Sequence, residues 1–168
     1  MDPRTKARQV AMQALFQLDV QGEGLFSDLD DFFKENAPED AVRKLAIDWT
    51  RGTWANLAAC DELITNAALK WKLSRLSQVD KSILRLAVYQ LKFCADIPPK
   101  VTINEAIEIA KKFGTDKSPG FVNGVLDGIL KKLQPAYAVK PVPSEPVPPA
   151  PASHWQGSEV EGVEGDEK

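Results

Sequence analysis

The chain is poor in the side chains that carry most enzyme chemistry. Among its 168 residues are one histidine and two cysteines. The histidine, His154, sits in a proline-rich stretch near the C-terminus. The rest of the chain therefore offers no imidazole base, no Ser-His or Cys-His pair and no histidine metal ligand. Cys60 and Cys94 form no C-x-x-C and fall on apolar helical faces, which suits inert core thiols in a reducing cytoplasm. Neither G-x-G-x-x-G nor G-x-x-x-x-G-K-[ST] occurs, so no familiar phosphate cradle is present. A di-metal site in a helix bundle needs Glu-x-x-His, which is also missing. The expectation is a protein without catalysis, metal or cofactor. No apolar run approaches the roughly 18 residues of a membrane span, and the opening "MDPRTKARQV" lacks the apolar core of a signal peptide. A cytoplasmic protein, away from membranes, is expected.

Apolar residues make up 43% of the chain, enough for a core, and the net charge is −3. The charge is uneven. From Tyr137 onward there are two basic residues, Lys140 and Lys168, against six acidic ones, which leaves 19 basic and 18 acidic elsewhere. Any basic surface must then be a local patch. The segment Lys140 to Lys168 carries six prolines and an acidic end. It cannot bury enough apolar surface to offset its ordering entropy. Residues 1–136 read as the folded domain and 137–168 as a disordered tail.

Helical periodicity is what the chain does have. Ala7, Val10, Ala11, Ala14, Leu15 and Leu18 share one helical stripe, with Pro3 near its start. A short aromatic-rich segment surrounds "LFSDLDDFF". A long pattern then runs through Val42, Leu45, Trp49, Gly52, Asn56, Ala59 and Leu63, ending near Ala68. Ser77 with Asp80 resembles a capping box ahead of Val79, Ile83, Leu86, Ala87, Leu91 and Cys94. Pro98 and Pro99 interrupt the chain. Thr102 with Glu105 forms a second box, and Gly114 is suited to a left-handed C-cap. Ser118-Pro119 reads as an N-cap followed by proline at N1, opening a last helix with Val122, Val125, Leu126, Ile129, Leu130 and Leu133. Strand alternation with hairpin turns is absent. The pattern predicts an all-α compact bundle of about six or seven helices.

The stretch "INEAIEIAKKFG" places Glu105 and Glu108 on one helix. Glu105 is accounted for by the capping box, and Glu108 precedes Lys112 by four residues, a favourable ion pair. Two aromatics point away from the core stripes. Phe16 falls roughly 170° from the centre of the first stripe, beside Lys6, Arg8 and Gln9. It is either packed under another helix or exposed for stacking. Phe121 lies roughly 110° off the last stripe, near a helix N-terminus and Lys111, Lys112 and Lys117. Cations, off-core aromatics and a helix N-terminus are the parts of a surface for single-stranded nucleic acid.

Three blocks, "TKARQVAMQALFQLD", "LSQVDKSILRLAVYQL" and "IPPKVTINEAIEIAKKFGTDKSPGFVNGVLDGIL", resemble the NusB family of bacterial transcription antitermination factors. The resemblance runs from about Arg4 to Leu133 and leaves the tail outside. It implies two packed helical subdomains and no catalysis. It implies pairing with NusE, a small-subunit ribosomal protein, and binding of single-stranded boxA RNA within the RNA polymerase antitermination complex on ribosomal RNA operons. Carried over by position, the basic arm is Arg4, Lys6 and Arg8, the stacking aromatics are Phe16 and Phe121, and the acidic partner contact is Asp80. Asp80 also fits the capping role. The chain departs from the family pattern at Gly120, where a basic residue often stands, and at Lys117, where an acid often stands. Gly124 reads as a position of close helix approach. A similar fold forms the RNA-binding domain of some ribosomal RNA cytosine methyltransferases, and a helical scaffold without RNA binding is a further alternative.

Overall fold

A computed structural model describes residues 1–69, 73 and 76–137, with the backbone alone for 25, 26 and 134–137. The proline-rich tail, with His154, lies outside the described residues. The described residues form seven α-helices and no strands: α1 Pro3–Gln21, followed by the 3-10 turn Glu23–Ser27, then α2 Leu29–Asn36, α3 Asp40–Ala55, α4 Leu57–Ala67, α5 Gln78–Phe93, α6 Pro99–Phe113 and α7 Ser118–Tyr137. The expected helical bundle is what forms. The chain divides into two compact units at Lys131/Lys132, inside α7; only the last turns of that helix are described in the second.

Helix α1 is the central element and packs against α2, α3, α5 and α6. Its six stripe residues are all fully buried or nearly so, and so are Arg8, Gln9 and Met12. A helix packed on several sides keeps little outward face along its middle, and that decides the fate of its polar residues below. Helices α1, α2 and α3 form one packed group. Helix α5 joins α4 and α6 in a second, tied to the first through α1 and α3. Helix α7 approaches α4 where a Cβ on Gly128 would lie 4.0 Å from that of Ala67. Gly124 was the glycine expected to permit such an approach, but open space surrounds it.

The long helical pattern from Val42 to Leu63 is two helices. Three side chains bond back to the carbonyl one turn earlier: Thr50 to Ala46, Thr53 to Trp49 and Asn56 to Gly52, each at 2.7 Å. Such back-bonding competes with the helical ladder and bends it. At Asn56 (φ −117°, ψ 26°) the ladder ends and α4 starts afresh.

Buried charges fasten the bundle. Arg85 on α5 makes a bidentate pair with Asp61 on α4, both bonds at 2.8 Å, and donates to Asp19 on α1 at 3.1 Å. Burial opposes the Arg85 charge, but the two carboxylates outweigh it and raise its pKa. Removing one partner from such a site leaves another buried charge uncompensated.

Candidate nucleic-acid interface

The basic arm begins with a well-made helix start. The Asp2 carboxylate accepts from the backbone N–H groups of Arg4 at 2.8 Å and Thr5 at 3.4 Å, and Pro3 occupies N1. Arg4 and Lys6 are exposed on this first turn. Arg8 is not. It is 3% exposed, and its guanidinium donates to Gln90 Oε1 on α5 at 3.2 Å and to Glu105 Oε1 on α6 at 3.3 Å, while lying 5.1 Å from the centre of the Trp49 ring. Burial pulls its pKa below the ordinary value, and Glu105 partly restores it. Arg8 therefore departs from its expected place in an RNA-facing arm: it ties α1 to α3, α5 and α6.

Glu105 also departs from expectation. Pro99 starts α6 three residues ahead of the supposed cap at Thr102, which is buried inside the helix. Proline at N1 with its preset φ outweighs the capping box. The Glu105 carboxylate instead reaches α1. Its Oε1 accepts from the Thr5 hydroxyl at 2.7 Å as well as from Arg8. Glu108 pairs with Lys111 at 3.0 Å rather than with Lys112. Lys112 Nζ donates to Gln9 Oε1 on α1 at 3.2 Å and lies 5.5 Å from the Phe113 ring centre.

The connection from α6 to α7 differs from the pattern in two respects. Gly114 is extended (φ −95°, ψ −165°) rather than left-handed. Glycine is required there for space, because a Cβ would meet Ser118 Oγ at 2.5 Å. Ser118 is the first residue of α7, and its buried hydroxyl accepts from the Thr115 N–H at 3.0 Å instead of capping the helix. Lys117 is exposed immediately before α7, and Phe121 is half-buried on its first turn.

Phe16 lines an open groove of about 280 Å³ with Met12, Gln13, Gln17, Phe32, Val79 and Phe113. Four helices contribute to it, α1, α2, α5 and α6, and its walls are mostly apolar. Val79 precedes Asp80 on the first turn of α5. Half of the expected capping box is made there: the Ser77 hydroxyl accepts from the Asp80 N–H at 3.0 Å. Asp80 Oδ1 is shut off from solvent without a hydrogen-bond partner.

The arrangement brings some expected residues together. The Gln9–Lys112 bond sets the basic end of α6 beside the first turns of α1, and Phe113, next to Lys112, belongs to the groove that holds Phe16. A cationic edge thus abuts an apolar groove that includes Val79, the residue before Asp80. Sequence reasoning missed Phe32, Val79 and Phe113 as groove residues. "DDFF" and "KKF" offered aromatics next to charge, but which helices meet was not legible. Among the described residues there is no cluster of histidine, cysteine and carboxylate groups that could hold a metal, and no helix is long and apolar enough to cross a membrane.

The NusB family pattern matches residues 5–131. The transcription antitermination protein NusB of Anaeromyxobacter dehalogenans (strain 2CP-1) is 46% identical over 134 residues, covering 79% of this chain and 94% of that protein. The solved structure of T. maritima NusB is 44% identical with a TM-score of 0.71, over 79% of this chain and 93% of that one. A crystal structure of antitermination factors NusB and NusE in complex with dsRNA contains a chain 27% identical with a TM-score of 0.69, over 79% of this chain and 98% of that one. On the strength of the family match across its helical core, this chain belongs to the NusB family.

Proposed function

We propose that the chain is a transcription antitermination factor that binds single-stranded boxA-type RNA together with NusE, in support of ribosomal RNA transcription by an RNA polymerase antitermination complex in the cytoplasm. The observation that carries this reading is the junction of a cationic edge with an apolar groove on one helical scaffold. Arg4, Lys6, Lys111, Lys112 and Lys117 supply phosphate contacts, and Phe121 supplies a stacking surface. Arg8 supports this surface from beneath. Phe16 sides with the partner. Its groove is apolar and includes Val79, which precedes Asp80 on the first turn of α5, and this suits a protein segment bearing an apolar side chain. A NusB–NusE–RNA assembly is known for a relative of the same fold, which supports the pairing. Residues from Lys140 onward are dispensable for both interactions.

Filter binding with a boxA-type RNA, with and without NusE, tests the reading on wild type and Asp80→Lys. Wild type binds RNA weakly alone and more tightly with NusE. Asp80→Lys keeps the weak binding and loses the gain, because a broken desolvated charge contact costs about 2–5 kcal/mol. Absence of RNA binding in both conditions would leave a helical scaffold.

A further inference from the structure

We infer that Thr5 and Glu105 are positioning residues for RNA, holding the basic first turn of α1 against α6. This rests on the proposed RNA binding. The first turn of a helix frays easily unless something fastens it. Here the Asp2 cap acts within the turn, and the Thr5 hydroxyl fastens the turn to a second helix through Glu105 Oε1 at 2.7 Å. That same oxygen accepts from Arg8, whose position is fixed by Gln90 and the Trp49 ring. The anchor of the arm is therefore itself anchored in the bundle core. One turn further along α1, Gln9 accepts from Lys112 and makes a parallel link. The two links hold the first turns of α1, with exposed Arg4 and Lys6, against α6, which carries exposed Lys111 and Lys112.

Glu105 is an acid on the helix that carries Lys111 and Lys112. On charge alone it would weaken RNA binding. Its geometry supports the opposite effect, because through Thr5 it holds the turn that carries Arg4 and Lys6 in place before RNA arrives. Pre-ordering reduces the conformational entropy lost on binding. Thr5→Val tests this directly. Valine has nearly the same shape, is equally β-branched in a helix, and removes only the donor. Glu105 keeps Arg8, so no buried carboxylate is left unpaired.

The experiment uses the full chain and a single-stranded boxA-type RNA oligonucleotide. Affinity is measured across a salt series, beside melting temperature and amide exchange at Lys6. Thr5→Val is expected to bind roughly three- to tenfold more weakly at about 0.1 M salt, with the salt slope reduced by about one unit, the mark of about one lost phosphate contact. Its melting temperature stays near wild type, Lys6 exchanges faster, and Thr5→Ser restores affinity and slope. Wild-type affinity and slope in Thr5→Val would overturn the inference, as would a Thr5→Ser variant as weak as Thr5→Val. Wild type without measurable RNA binding would fail the RNA reading itself, while exchange at Lys6 would still report whether the link holds the arm.

Discussion

The ring of Tyr89 on α5 occupies the space that a Cβ at Gly52 on α3 would need. The two helices meet there because residue 52 has no side chain. Tyr89 packs on Phe93 with ring centres 5.6 Å apart, which limits where it can retreat. Gly52→Ala gains about 1 kcal/mol of helix propensity and loses about 1–3 kcal/mol to overpacking. Net destabilisation is expected in melting curves. In a Tyr89→Ala background the sign reverses, and Gly52→Ala becomes stabilising; destabilisation in both backgrounds would show that the tyrosine is not the obstacle.

Phe16→Ala separates partner from RNA. A half-buried groove aromatic is expected to cost less than the roughly 3–5 kcal/mol of a core phenylalanine. NusE affinity, measured by calorimetry, is expected to fall by about 2 kcal/mol. RNA affinity of the isolated chain is expected to change little. A selective loss of RNA affinity would return Phe16 to a stacking role.

Arg8→Met should act on stability rather than on phosphate contacts. Deleting one member of a buried ion pair costs about 3–5 kcal/mol. The lower end is expected here, because the Glu105 side chain retains 22% exposure and can be rehydrated. Under conditions where the variant is folded, the salt slope of RNA binding should match wild type. A slope lower by about one would make Arg8 a phosphate ligand after all.

Cys60 makes stability fall in alkali. Burial pushes its thiol from 9.0 up to about 12. The folded state thus holds a proton that the unfolded state releases first, so its contribution is intact below pH 9 and is lost as pH rises towards 12. The slope is about 1.4 kcal/mol per pH unit within that window. Denaturant titrations of wild type and Cys60→Ala at pH 8 and 10.5 should show the larger loss in wild type. Equal losses would mean that the thiolate is tolerated where it stands.

The core was legible in the sequence wherever a period of 3.6 governed burial. Ala7 through Leu18, Ile83 through Leu91 and Val122 through Ile129 all turn inward as their spacing requires. What failed was assignment from spacing alone. Thr102 and Glu105 stand three apart like a capping box, but Pro99 had already opened the helix. Arg8 lies beside the exposed edge of α1 in projection, yet three other helices close over it, and no single-helix projection contains them. The groove around Phe16 was illegible for the same reason: its walls come from positions 32, 79 and 113, which only tertiary packing brings together.

Lys6 and Phe16 stand on one unbroken helix, ten residues apart and hence about 15 Å along its axis. No joint lies between the proposed RNA edge and the proposed partner groove. This helix therefore imposes no order on the arrival of the two ligands. Neither association rate carries a conformational gate from this helix, and both are governed by diffusion, orientation and charge.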